Sequence, residues 1–95
     1  MIERGPKIHY LKTYIEFFQA IKRGEKNFEL RKNDRDYKVG DFLVLMEYDP
    51  AIGFTKSDDI WLKVTYILDK QPYVPKGYIC MSTVKDYVHD GVALI

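Results

Sequence analysis

The residues with the clearest capacity for chemistry lie in one short segment, 24–35, which is rich in charged side chains. Glu29 and Arg31 are two residues apart, so on a β-strand their side chains point to one face and can form a charge-assisted pair. Lys26 has the opposite parity and joins them only if a turn or a bulge redirects it. A carboxylate held between cations can accept hydrogen bonds from a base edge, and an arginine can bind phosphate. The segment predicts a nucleotide-binding site, with a solvated surface ion pair as the alternative.

Further polar residues on either side extend this candidate site. The cations of the segment would neutralise phosphates, and Glu29 or Asn33 would contact base edges. His9 and Lys12 precede the predicted helix by a few residues, so they could face the same site, although a lone His is as often structural. The candidate RNA- or nucleotide-binding residues are therefore His9, Lys12, Lys26, Glu29, Arg31, Lys32, Asn33 and Arg35.

Aromatic residues elsewhere could stack a base, because such stacking contributes roughly 1–3 kcal/mol per base. The candidates are Tyr48, Trp61 and Tyr73, of which Trp61 fits the core equally well. His89 has no Cys or His close in sequence, and residues 58–59 lack a third oxygen ligand at EF-hand spacing. The sequence contains no phosphate loop, dinucleotide fingerprint or nucleophile elbow. We therefore expect no metal and no cofactor, and assign no catalytic residue.

The elements that must position these side chains begin with one helix. Thr13 and Glu16 fit a capping box, in which their side chains satisfy free N–H groups at a helix start. Gly24 fits the position just after the helix end. Between them an apolar stripe at helical spacing consists of Tyr14, Phe17, Phe18 and Ile21.

The rest of the chain indicates short strands separated by turns. They are predicted at residues 8–11, 27–31, 42–48, 60–68 and 78–84. In the second strand the alternation places Phe28 and Leu30 on the core face, and in the fourth it places Val64 and Tyr66 on one face. About five strands with one helix predict an α+β, mainly β fold that forms a closed or nearly closed barrel, since closure removes exposed edges.

Length and charge limit the remaining possibilities. The 95 residues predict a single domain, with a core at 8–84 and a tail at 85–95, whose apolar end at 92–95 could seal the barrel or a dimer. Cys80 is the only cysteine, and no apolar run is long enough to span a bilayer, so we expect a cytoplasmic protein. Residues 1–38 carry ten Lys and Arg against six Asp and Glu, which favours an anionic ligand.

The pattern Gly24-x-Lys26-x-x-Glu29-x-Arg31 resembles the G-x-K-x-x-E-x-R signature of ASCH domains, a branch of the PUA-like superfamily of small β-barrels associated with RNA. The resemblance extends to a small ASCH-like family of unknown function through His9, Leu11, Lys12 and residues 31–35, 39–41 and 47–50. It implies a PUA-like barrel with a cleft beside the helix N-terminus, lined by the residues matching Lys26, Glu29 and Arg31. The function it implies is an RNA- or nucleotide-binding module.

Two alternatives belong to other classes. Some ASCH proteins are amidohydrolases that act on acylated nucleosides with a lysine, a threonine and a glutamate. Lys26 matches that lysine, but Glu29 occupies the position of the threonine, and residues 69–77 offer no counterpart of the glutamate. The other alternative is a protein-interaction domain that docks a partner through its tail or a sheet edge.

Overall fold

The computed structural model describes residues 4–86. Its elements are β1 (Ile8–Tyr14), α1 (Ile15–Lys22), β2 (Phe28–Lys32), β3 (Phe42–Asp49), β4 (Gly53–Phe54), β5 (Ile60–Leu68) and β6 (Tyr78–Lys85). The five predicted strands and the helix are confirmed, with small differences at their ends. The largest is β1, which continues to Tyr14. The predicted tail beyond Asp86, including His89, lies outside the described residues.

The strands form one sheet in the order β1-β3-β5-β6-β2, with β4 paired to β3. β1 runs parallel to β3, and the other pairs are antiparallel. The sheet curls into a half-barrel of five strands, which confirms the mainly β fold with one helix. β1 and β2 are therefore the two edges of the sheet, although only a short helix and a turn separate them in the chain.

The core lies on the inner face of this sheet, and α1 packs there against β1 and β3. Phe18 and Ile21 are the buried side chains of α1. Each fully buried side chain of this size stabilises the fold by about 1.5–3 kcal/mol. They join a cluster with Leu11, Tyr37, Leu43, Leu45, Ile60, Leu62, Val64, Ile79 and Met81. With eight residues, α1 is also too short to cross a membrane, and the described residues contain no helix that could.

The predicted capping box is wrong. Thr13 belongs to β1, and the N-cap of α1 is Tyr14, which makes no side-chain capping bond. Thr13 alternates with His9 and Leu11 on the buried face of β1, so its hydroxyl is directed into the sheet and donates to the Leu11 carbonyl. The predicted helix end is confirmed: Gly24 has a φ of 82°, and its N–H donates to Ile21 O.

The predicted orientation of β2 is also wrong. Phe28 and Leu30 are 45% and 50% exposed, whereas Glu29 is 2% exposed. The two-residue alternation was correct, but the polar face points inward because cations on both sides compensate the Glu29 charge. An edge strand whose inner face meets charged partners can bury a carboxylate.

The predicted faces of β5 are wrong after Val64, because the strand contains a bulge. The register with β6 shifts between Val64 and Tyr66, which inserts one extra residue and reverses the alternation. Val64 is buried, Tyr66 is exposed, and Ile67 packs against the core instead. Tyr66 therefore lies on the outer face, opposite to the predicted one.

Candidate functional site

A cleft of about 360 Å³ lies where the two edge strands come together. One wall comes from the end of β1 and the first turn of α1, and the other from β2 and the turn before it. It is lined by Lys12, Thr13, Tyr14, Phe17, Lys26, Phe28, Glu29, Leu30 and Arg31. The cleft lies beside the first turn of α1, and its lining includes Lys26, Glu29 and Arg31 of the predicted segment.

Glu29 is the centre of the charged groups in the cleft. Its Oε1 lies 3.0 Å from Arg31 Nε and 2.9 Å from Nη2, and its Oε2 lies 2.7 Å from Lys26 Nζ. The predicted pair of Glu29 and Arg31 is thus formed. Lys26 joins it because the turn after Gly24 redirects its side chain, which also donates to the Phe28 carbonyl at 2.6 Å. The buried carboxylate holds both cations at fixed positions in the cleft.

Two arginines connect the edges of the sheet. Arg31 Nη2 donates to Thr13 Oγ1 at 3.1 Å, and its Nη1 donates to the Lys12 carbonyl at 3.2 Å. Arg35 Nη1 donates to the Tyr10 carbonyl at 2.9 Å. We call Arg31 and Arg35 the arginine bridge. Their guanidinium groups bind backbone carbonyls of β1, which is an edge strand of the described sheet and pairs only with β3. Arg31 therefore uses most of its donors within the protein.

Lys12 is the cation of the cleft with the fewest protein partners. Its Nζ lies 4.6 Å from the ring centroid of Tyr48 and 5.8 Å from that of Tyr14, in cation–π geometry. Within residues 4–86, no carboxylate lies at ion-pairing distance from it. With Lys26 and Arg31 against Glu29, the cleft carries a net charge of two positive, and Lys12 is the group most available to a ligand.

Aromatic rings form the remaining walls. Phe17 and Phe28 are both about half exposed, and Lys26 Nζ lies 5.9 Å and 4.7 Å from their ring centroids. Sequence reasoning assigned both rings to the core and so missed them as cleft residues. No local signal distinguished them, because apolar residues at helical or strand spacing fit a core face equally well.

The structure does not bring every predicted residue into the cleft. Lys32 and Asn33 are exposed past its end, where the Asn33 N–H donates to the Gly77 carbonyl. Of the predicted stacking residues, Tyr48 contacts Lys12, whereas Tyr73 lies exposed in the turn before β6. The third, Trp61, is half-buried on β5.

His9 does not face the cleft, which corrects that expectation. It is buried, with Nε2 2.8 Å from Asp41 Oδ2 and its ring 4.6 Å from that of Tyr37. These contacts hold the His9 ring in the interior, and it is not among the residues that line the cleft with Lys12. The contact with Asp41 gives His9 a structural partner.

Asp41 is the most heavily bonded carboxylate of the described chain. It accepts from both terminal nitrogens of Arg4, from His9, and from the backbone N–H groups of Lys7 and Lys38, all between 2.8 and 3.1 Å. Burial by itself would raise the pKa of the Asp41 carboxyl, but these hydrogen bonds outweigh burial and hold it well below its ordinary value. Asp41 therefore anchors the segment before β1 to the turn before β3.

Glu47 is a second buried carboxylate, and it ties a loop to the helix. It accepts from Thr55 Oγ1 at 2.7 Å, from Ser57 Oγ at 2.9 Å and from Gln19 Nε2 at 2.7 Å. The hydrogen bond from Thr55 is the main reason that the pKa of Glu47 lies below its ordinary value. Neither this cluster nor any other in residues 4–86 gathers three His, Cys, Asp or Glu side chains that could hold a metal ion.

Comparison with known proteins places this half-barrel in a family. Residues 8–83 match the family model of DUF3850, a domain of unknown function. The chain belongs to the DUF3850 family. A relative is the "Uncharacterized 12.9 kDa protein in GpA 3'region" of Escherichia phage P2, 43% identical over 78 residues that cover 82% of this chain and 69% of the phage protein. The match to DUF3850 includes every residue that lines the cleft.

Proposed function

We propose that the cleft binds RNA or a free nucleotide. The observation that carries this proposal is the grouping of three cations and one buried carboxylate between the half-exposed rings of Phe17 and Phe28. The net positive charge suits a phosphate, and the rings suit a base. These are the two chemical parts that every nucleotide presents.

The phosphate would bind at Lys12. This ammonium has no carboxylate partner among the described residues, so it meets an anion without first breaking an ion pair. Lys26 adds a second contact, since its ammonium has three N–H donors and two of them point to Glu29 and to the Phe28 carbonyl. Phosphate contacts of this kind would give affinity with little dependence on base sequence.

The base would stack on Phe28 or Phe17. Stacking on an aromatic side chain contributes roughly 1–3 kcal/mol per base and tolerates any base. Glu29 is 2% exposed, so its contribution would be to hold Lys26 and Arg31 at fixed positions toward the ligand.

The resemblance of residues 24–31 to the ASCH signature supports the same proposal. The hydrolase alternative has less support from the geometry. A lysine that acts as a nucleophile or base must be neutral, whereas the Lys26 ammonium is 2.7 Å from Glu29 and donates to a carbonyl as well. Both contacts occupy N–H donors of Lys26 and hold its side chain in the cleft, which suits binding.

A comparison of two lysines tests the proposal. Lys12→Ala and Lys38→Ala each remove one positive charge, but Lys38 is an exposed residue that does not line the cleft. Titration with a nucleoside monophosphate and with short single-stranded RNA, followed by amide chemical shifts at low salt, should show shifts at residues 12–17 and 26–31. We expect Lys12→Ala to weaken binding about tenfold and Lys38→Ala to leave it unchanged. Absence of binding at low salt, or equal effects of the two variants, would refute the proposal.

A further inference from the structure

We infer that the outer face of β2, β6 and β5 continues the cleft as a stacking surface, so that the ligand is a single strand of RNA several nucleotides long. This inference rests on the proposed function, since the strand would enter through the cleft. We call this surface the outer aromatic face. It comprises Phe28, Leu30, Lys32, Tyr66, Leu68, Tyr78, Cys80 and Ser82.

The strand register brings these side chains together. Phe28 pairs with Ser82, which pairs with Tyr66 on the next strand. Lys32 pairs with Tyr78 in a parallel row. Paired residues point to the same face of a sheet, and adjacent strands lie about 4.8 Å apart, so the backbones carrying Phe28 and Tyr66 are about 10 Å apart.

The rings on this face are open to solvent. Tyr66 is 62% exposed and Tyr78 is 41% exposed, and Phe28 and Leu30 are exposed to a similar degree. The helix packs on the other side of the sheet, against the core. A contiguous exposed patch of large apolar side chains on a small domain marks an interaction surface.

The composition of this surface fits single-stranded RNA. Of the eight residues of the outer aromatic face, Lys32 carries a positive charge and none carries a negative charge. The small side chains of Ser82 and Cys80 separate the rings, which leaves room for bases on either side of each ring. Single-stranded nucleic-acid surfaces combine rings that stack bases with cations along the backbone path, and here Lys32 and the cleft residues Lys12 and Lys26 supply the cations.

The surface is also continuous with the cleft. Phe28 and Leu30 line the cleft and belong to the outer aromatic face at the same time. A strand with one phosphate at Lys12 and one base on Phe28 would therefore run directly toward Tyr66. A free mononucleotide would leave these rings unused.

The test measures how affinity depends on RNA length, with and without the tyrosine rings of the outer aromatic face. Affinities for uridine monophosphate and for oligouridylates of two, four and eight nucleotides are measured for the parent chain, for Tyr66→Ala/Tyr78→Ala and for Tyr73→Ala. Tyr73 is an exposed tyrosine that lies outside this face. We expect affinity to rise at least tenfold from one nucleotide to eight. The double variant should lose that rise and keep its mononucleotide affinity, and Tyr73→Ala should behave as the parent. Tyr66→Phe/Tyr78→Phe keeps both rings and should restore the rise.

Each outcome separates the two proposals. Binding of the mononucleotide with no gain for longer strands, or an equal gain in the parent and the double variant, would overturn this inference and leave the cleft proposal standing. No binding of any length would overturn both. Loss of mononucleotide affinity in the double variant would also overturn it, because the rings would then act on the cleft and not on additional nucleotides.

Discussion

Arg31 Nη2 and Thr13 Oγ1 lie 3.1 Å apart and connect the first and the last strand in the order of the sheet. No backbone ladder joins these two edges among the described residues. The half-barrel is thus closed on this side by side chains, and the cleft sits in the gap that the missing ladder leaves. The same guanidinium group orders the carboxylate of the site and holds the walls of the site together.

Replacing Arg31 by Lys should destabilise the fold even though the charge is kept. A single ammonium cannot reach Glu29, Thr13 and the Lys12 carbonyl together, as the planar guanidinium does. We expect the free energy of unfolding, measured by urea denaturation, to fall by about 1–3 kcal/mol. The neighbouring exposed Lys32→Ala should change it by less than about 0.5 kcal/mol, and similar losses in both variants would argue against the bridging role.

Protonation of Asp41 should lower the stability of the fold as the pH falls below about 4. Its pKa in the folded chain lies well below the value of about 3.9 expected when unfolded, so the unfolded state takes up the proton first as pH falls. The stabilisation is complete above about pH 4 and is lost as pH drops toward the folded-state pKa.

The matching variant is Asp41→Asn, which removes the charge beside Arg4. We expect it to be less stable than the parent by about 1–3 kcal/mol at pH 7, since the amide cannot accept all five hydrogen bonds that the buried carboxylate accepts. Urea midpoints measured from pH 2 to pH 7 should show the gap between the two proteins closing in acid. A constant gap would contradict the assignment.

Glu47 should protect Lys56 from trypsin. Thr55 and Ser57, on either side of Lys56, both donate to one Glu47 oxygen. Glu47→Ala removes their acceptor, so cleavage after Lys56 under native conditions should become at least several-fold faster. Cleavage after Lys70, in a turn that Glu47 does not contact, serves as the internal reference, and a uniform increase at both sites would indicate global destabilisation instead.

Substitution of Gly24 should destabilise the fold because of its backbone conformation alone. Its φ of 82° lies in the left-handed region, and a Cβ there would meet no atom within 4 Å. We expect Gly24→Ala to lower the free energy of unfolding by about 1 kcal/mol. Gly5→Ala, where a Cβ also meets nothing within 4 Å, should have almost no effect. Equal urea midpoints for the two variants would show that the helix end tolerates the strain.

Local patterns predicted most of the elements and the centre of the site. The spacing of Glu29 and Arg31 indicated their pair, and Gly24 marked the end of the helix, because each depends on residues close in sequence. The inward direction of Glu29 could not be predicted in the same way. Alternation fixes which residues share a face, but the choice of face depends on Lys26 and Thr13, whose positions follow from the turn and from the order of strands.

The same limit applies to Thr13 and Tyr66. The residues around Thr13 fit a capping box. Pairing with β3 instead extends β1 through Thr13, and the Thr13 hydroxyl oxygen accepts a hydrogen bond from Arg31 Nη2. The exposure of Tyr66 results from one extra residue in β5, which no feature of the alternation marks. In both cases the long-range partner, absent from local sequence patterns, decided the outcome.

The bulge in β5 has a consequence for the dimensions of the cleft. The two walls of the cleft come from residues 12–17 and 26–31. The distance between them depends on four successive strand pairings, which lead from β1 through β3, β5 and β6 to β2. A bulge increases local twist and bends its strand, so the one at Val64 and Tyr66 helps to set how far the two edges curl toward each other. Deleting a residue there would change the width of the gap while leaving every lining side chain in place. Relatives could in this way adapt the gap to ligands of different size by gaining or losing a residue on a strand that does not line the cleft.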